Sequence, residues 1–285
     1  MGCQIPVTPD SGRGIFTIAY KFHLRSQNPF NSIRFMRGIL TKISEHLKRK
    51  ALARRFGVPF SRRGTFSVPR SILLHGQKID LQFPDDLGVK NDFLGCILGD
   101  CYGLWQLPIQ PRTILDIGAN VGFFSIAARE FFPQATIHAY EPNPRTLPYG
   151  QKNARAGKFD VFGEAVGATD GTVQMVDVGE TNLAHTQPAD GQFAGGIPQV
   201  SFAKTLARIG GTIDFLKMDC EGAEWDLFRA SECWAKIRLL RMEYHLWKVH
   251  SFSELSTTLE ALNFSILKHE PSDQCGLVWC ERRSP

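Results

Sequence analysis

Four carboxylates stand where apolar runs end: Asp116, Glu141, Asp219 and Glu243. In an open parallel sheet, ligands bind in the crevice beyond the carboxyl ends of the strands. The first acid lies in Ile114-Leu115-Asp116-Ile117-Gly118-Ala119-Asn120-Val121-Gly122-Phe123, where a glycine turn opens a helix. Glycine lets backbone approach a ligand closely. The run is not Gly-x-Gly-x-x-Gly, because Asn120 takes a central place and no third glycine follows. A carboxylate before the turn accepts from an ammonium or a hydroxyl, whereas it repels a pyrophosphate. The second acid, in Glu141-Pro142-Asn143-Pro144, closes the next strand 25 residues on. An acid there can accept both hydroxyls of a ribose. Pro142 and Pro144 set a rigid turn, with Pro144 expected at the first helical position. Asp116, the Gly118/Gly122 turn and Glu141 together outline a nucleoside site that makes no demand for phosphates. S-adenosylmethionine fits it better than NAD.

The third run is Ile213-Asp214-Phe215-Leu216-Lys217-Met218-Asp219-Cys220-Glu221-Gly222-Ala223-Glu224. Asp219 would face the crevice across from the glycine turn. Glu221 and Glu224 flank a helix N-terminus, where capping is an alternative role for each. The fourth is Leu239-Leu240-Arg241-Met242-Glu243-Tyr244-His245, whose Glu243 or His245 would enter the same crevice. Methyl transfer to an oxygen is an in-line displacement at a sulfonium methyl, and positioning supplies much of its acceleration. A hydroxyl is a poor nucleophile, so a general base would contribute about 10²–10⁴. Asp219 is the first candidate and His245 the second, with Glu221 beside them. The alternative is a divalent ion on Asp219, Glu243 and His245 that lowers the hydroxyl pKa.

Taken in order, Asp116-Ile117-Gly118-Ala119-Asn120-Val121-Gly122, Glu141-Pro142-Asn143-Pro144 with Asn153 downstream, and Lys217-Met218-Asp219-Cys220-Glu221-Gly222-Ala223-Glu224 resemble the FkbM family of S-adenosylmethionine-dependent methyltransferases. The likeness covers roughly residues 95–250. Tyr102 matches the family's upstream tyrosine. The resemblance implies a class I methyltransferase, a Rossmann-like α/β fold with a seven-stranded mostly parallel sheet and helices on both faces. It implies O-methylation of a sugar, glycan or secondary metabolite. It places Tyr102, Asp116, Gly118, Asn120, Gly122, Glu141, Asn143 and Asp219 around S-adenosylmethionine. Asp116 and Gly118 would lie near the methionine part, Glu141 at the ribose, and Glu164, Ala165 and Val166 beside the adenine. Cys220 departs from the aliphatic residue common there, and no Asp follows Leu206.

The elements that must hold these residues follow a regular alternation from residue 112 onward. Strands are expected at Thr113–Ile117, Thr136–Tyr140, Asp160–Val166, Ile213–Met218, Arg238–Tyr244, Phe264–Lys268 and Leu277–Glu281. Helices at 122–132, 144–156, 222–234 and 252–262 separate most of them. Thr172–Val178 reads as an extra strand. Residues 179–198 read as a functional loop or lid over the acceptor, with His185 an additional candidate. Upstream, 92–107 reads as a helix and 66–83 as a small hairpin. The spacing of Ile33, Met36, Ile39, Leu40, Ile43, Leu47 and Leu52 predicts a basic amphipathic helix over 31–56, with an irregular segment at 1–30. The organisation expected is a basic N-terminal extension at 1–70 and a methyltransferase domain at 71–285, with its core at 110–285.

The 285 residues suffice to bury a sizeable core without disulfides or metal. Net charge is +5, unevenly spread: residues 1–70 hold fourteen Lys and Arg against Asp10 and Glu45, and the remainder is acidic. The helix at 31–56 therefore either docks on the domain or meets an anionic membrane surface. The acidic body shows no aromatic-basic patch and no Asn-Pro-Pro-aromatic motif, so nucleic acid is not expected as a partner. Seven cysteines without a Cys-x-x-Cys suggest reduced thiols. No secretory signal is visible, and the expected location is cytoplasmic, peripheral at the inner membrane face if the arm binds lipid. Two other readings remain at this stage. One is a nicotinamide or nucleotide-sugar oxidoreductase on a related fold. The other is a non-catalytic membrane-surface module.

Overall fold

A computed structural model describes residues 29–59, 66–176, 185–188, 196–247 and 249–283. The irregular segment expected at 1–30 lies outside them up to residue 28. In chain order come helix α1 (Pro29–Arg55), the hairpin β1 (Ser71–Leu74) and β2 (Gln77–Asp80), and α2 (Leu87–Asp92). Next come β3 (Thr113–Ile117), α3 (Phe123–Phe131), β4 (Thr136–Tyr140), α4 (Leu147–Gly157), β5 (Asp160–Phe162), β6 (Ala165–Gly167), β7 (Gly171–Val176), β8 (His185–Pro188) and β9 (Ile197–Ser201). The chain closes with α5 (Phe202–Ile209), β10 (Ile213–Met218), the short helices α6 (Glu224–Leu227) and α7 (Ser231–Trp234), β11 (Ile237–His245), α8 (Phe252–Ala261), β12 (Phe264–Pro271) and β13 (Cys275–Arg282).

Seven strands form one sheet in the order β12-β13-β11-β10-β3-β4-β5. Every pairing from β11 to β5 is parallel, and β13 runs antiparallel to both of its neighbours. Its central strands are buried on both faces, which is why they read as continuous apolar runs. Phe215 packs into one hydrophobic layer with α1, α3 and the hairpin, and Leu216 and Met218 into the other with α5, α7 and α8. The chain leaves β3 toward β4 and β5, then returns to β10 and proceeds toward β11. The direction of winding thus reverses between β3 and β10. The crevice at their carboxyl ends is the switch point where such sheets bind ligands.

The structure corrects several local expectations. Asp160–Val166 is two strands, because Gly163 and Glu164 interrupt it and β6 joins a second sheet, ordered β6-β9-β7-β8. The expected lid at 179–198 contributes β8 and the start of β9 to that sheet, through pairing with β7. Residues 177–184 and 189–195 lie outside the described residues, as does the side chain of His185. The 92–107 helix is a π-helical turn at Phe93–Gly99 and a 3-10 turn at Leu104–Gln106. The 222–234 helix breaks into α6 and α7, where the Trp234 indole donates back to the Leu227 carbonyl at 2.9 Å. Pro144 precedes α4 rather than starting it, and Pro148 occupies its first turn. Cys96, Cys101, Cys220, Cys233 and Cys280 are free thiols. No described helix is long and apolar enough to cross a membrane.

Candidate active site

The seam between β3 and β10 builds the floor of the site. Gly118 has φ +79°, and a Cβ there would lie 1.6 Å from the Asp219 carbonyl oxygen. The glycine is therefore required by the approach of two protein turns. Asp116 stands two residues before it in β3. It is fully buried, accepts from Ser125 Oγ at 2.7 Å and faces Lys217 Nζ at 3.2 Å. The ammonium it meets is the protein's own, beneath the crevice. Lys217 Nζ also donates to the Gly118 carbonyl at 2.5 Å and lies 4.0 Å from Asp219. Burial alone would lower the Lys217 pKa, but Asp116 and Asp219 outweigh it and hold the ammonium charged.

A second group lies at the end of β4. Glu141 is buried, and its two oxygens accept from the backbone amides of Asn120 at 2.6 Å and Asn143 at 2.8 Å. Burial raises its pKa, and these amides oppose the shift. A carboxylate has about four acceptor directions; the Thr146 hydroxyl takes a third, which leaves one for a ligand hydroxyl. Asn120 takes the left-handed conformation (φ 50°) and donates from Nδ2 to Asp92 at 2.7 Å. Its Oδ1 is buried without a partner, an acceptor suited to a ligand N–H or O–H. Gly122 holds φ +86° as the turn enters α3, with Phe159 filling the space where a side chain would go. Glu164 forms an ion pair with Arg208 at 2.5 Å at the mouth of this side, and Ala165 is buried beside it.

The acceptor side is an acidic cluster on the ends of β10 and β11. Asp219 Oδ2 accepts from the Tyr102 hydroxyl at 3.3 Å. His245 is buried, with Nε2 3.3 Å from Glu221 and Nδ1 3.2 Å from Glu224. Burial would lower the His245 pKa, but the hydrogen bond and charge of Glu224, with Glu221 and Asp219, raise it to about 10. His245 is therefore an imidazolium at neutral pH and holds no free lone pair for a base. Burial pushes Glu243 up to about 8, with the Asp219 charge adding to it. It likewise pushes Glu221 up to about 9, against the His245 charge, and Asp92 up to about 7. Asp219, Glu243 and His245 offer donor atoms within 4.8 Å of one another. Trp247 stands over this cluster, 47% exposed, stacked on the His245 ring at a centroid distance of 5.8 Å.

The structure thus brings Tyr102, Asp219, Glu221, Glu243 and His245 together, and places Asn120, Glu141 and Asn143 in a neighbouring group. Three contributors were missed by sequence reasoning. Lys217 hides in an apolar run, with only its placement two residues before Asp219 as a signal. Asp92 sits in a stretch read only as helix. Trp247 follows the strand-end histidine by two residues, and nothing in its sequence context singles it out.

Comparison with known proteins gives a consistent result. The family model described as the Methyltransferase FkbM domain matches residues 116–266, more than half of the chain. Methyltransferase 1 of Beauveria bassiana (strain ARSEF 2860) is 26% identical over 208 residues, covering 60% of this chain and 79% of that protein. The 31-O-demethyl-FK506 methyltransferase FkbM of Streptomyces tacrolimicus is 34% identical over 64 residues, covering 22% of this chain and 24% of that one. Among solved structures, the methyltransferase FkbM from Methylobacillus flagellatus KT aligns with a TM-score of 0.39 at 18% identity, covering 61% of this chain and 45% of that one.

Proposed function

The chain belongs to the FkbM methyltransferase family, and from that premise we propose that it is an S-adenosylmethionine-dependent O-methyltransferase acting on a hydroxyl of a sugar, glycan or secondary metabolite. The observation that carries this reading is the pairing of two sites across the β3/β10 seam. On one side Glu141 and the unpartnered Asn120 Oδ1 offer acceptors for a nucleoside. On the other, acidic side chains surround the place where an acceptor would lie. Bound S-adenosylmethionine supplies an electrophilic methyl on a sulfonium. Such a cation is favoured beside Asp219. The nicotinamide reading has no support here, because the family is one of methyltransferases.

Asp219 takes the acceptor's proton. Glu141 and Asn120 would hold the cofactor, which would supply the methyl group, and the acceptor's proton would pass to the Asp219 carboxylate. Tyr102 donates to that carboxylate at 3.3 Å and holds its orientation. Lys217 anchors the same segment from below. His245, already protonated, cannot take that role and instead balances Glu221 and Glu224. Trp247 supplies an exposed flat face on which a sugar ring or polyketide can rest.

A second way to activate the hydroxyl rests on the donor set Asp219, Glu243 and His245, with Glu224 placed as the carboxylate that orients a ligating histidine. A divalent ion there would displace the imidazolium proton. The two routes separate in one experiment. With methyl-labelled S-adenosylmethionine and a panel of hydroxyl acceptors, Asp219→Asn should lower turnover by about 10²–10⁴ while cofactor binding persists, and EDTA should leave the wild type active. Full activity in Asp219→Asn removes it as the base. Loss of activity with EDTA, restored by Mg²⁺, transfers activation to the ion.

A further inference from the structure

Helix α1 carries two apolar faces with different fates. At its C-terminal end Leu52 and Ala53 are buried in the core, with Phe56 just beyond. Lys48 and Arg55 pair with Asp100 and Glu130 at 2.7 and 2.8 Å. These contacts fix the end of the helix on the domain. Residues 40–47 are exposed on every side, and among them Leu40, Ile43 and Leu47 are 60%, 51% and 60% exposed. At about 100° per residue these three fall in one narrow row, on the side of the helix away from Leu52 and Phe56. In the sequence the same row extends back to Met36 and Ile33. The helix carries eight Lys and Arg, among them Lys42, Arg49 and Lys50, beside the polar Thr41, Ser44 and His46, and Glu45 is its only acid.

A helix that projects with its apolar row uncovered lacks the packing that normally supplies helix stability. We propose that the projecting part of α1 lies on an anionic lipid surface, with Leu40, Ile43 and Leu47 in the acyl boundary and the lysines and arginines among the headgroups. Charge selects this partner. The alternating three- and four-residue spacing would also suit a paired helix from a second copy. That pairing, however, would bring two strongly cationic helices together. A nucleic acid backbone would satisfy the cations and leave three aliphatic side chains in water. An anionic bilayer satisfies both requirements. The acidic remainder of the chain is repelled by the same surface, so the arm alone enters it and the domain is tethered above.

The test uses the full chain and sedimented vesicles of phosphatidylcholine with or without phosphatidylserine. Wild type should bind the phosphatidylserine vesicles, and at least about tenfold more weakly to phosphatidylcholine alone. Leu40→Ser with Ile43→Ser and Leu47→Ser should lose about tenfold or more in binding, as should Lys42→Glu with Lys50→Glu. Circular dichroism and thermal midpoint should match wild type, since these side chains contact no core. Absence of wild-type binding overturns the proposal. So does undiminished binding by the serine variant. A dimer in solution that the serine variant dissociates also overturns it, by assigning the row to a second copy.

Discussion

Glu243 lies two residues from the end of β11, its carboxyl pushed up to about 8 by burial and by the nearby Asp219 charge. A raised carboxyl holds its proton in the folded chain after the unfolded chain has lost it. Between the ordinary glutamate value and about 8, the folded state therefore binds more protons, and stability falls as pH rises. Asp92, at about 7, and Glu221, at about 9, act in the same direction. His245, raised to about 10, also contributes stability that is complete below its unfolded value and lost as pH rises through the folded one. The ligand-free protein should melt highest near mildly acid pH, with a midpoint declining through pH 5–9. Glu243→Gln should flatten that decline, and scanning fluorimetry across the range reads it directly. An unchanged slope in the variant would remove Glu243 from the cluster. At this scale the sequence told which acids stand at strand ends but not which way they face. Asp116 and Asp219 both follow apolar runs, yet one lies beneath the crevice on Lys217 and the other is partly open to it. The difference arises from parallel pairing of β3 and β10, which sets Asp116 beside Lys217 across the sheet.

The elements explain why those side chains meet. β3, β4 and β10 have the limits that their apolar runs predict, and the polar side chains inside them, Asp116, His138 and Lys217, are buried with the rest. The elements that were misread are those whose fate depends on distant partners. β5 and β6 separate because their neighbours, β4 and β9, belong to different sheets. α6 and α7 separate because the Trp234 indole occupies a carbonyl that a continuous helix would have used. The turns after β3 and β10 touch through Gly118, so a side chain there should drive them apart. Gly118→Ala should cost at least about 1–2 kcal/mol from the left-handed backbone alone, and more from collision with the Asp219 carbonyl. Gly171→Ala, which meets open space, should stay within about 0.5 kcal/mol. Urea denaturation of the pair distinguishes a structural glycine from an incidental one.

Across the whole molecule, charge and topology divide the labour. The cationic arm is anchored by one end of α1, and the acidic domain carries a crevice at the point where its winding reverses. The family and the fold were legible in the sequence because three motifs fall at three strand ends in one order. The uncovered row on α1 was not, since the same periodicity describes a helix that docks along its whole length. In the proposed function the crevice binds the nucleoside of S-adenosylmethionine through Glu141. Calorimetric titration of the purified protein with S-adenosylhomocysteine, beside NADH and a Glu141→Ala control, reads this binding. Micromolar binding of S-adenosylhomocysteine is expected, none of NADH, and a loss of at least about tenfold in the control, whose two amides lose their acceptor. No binding to well-folded wild type, or equal binding by the control, would contradict it.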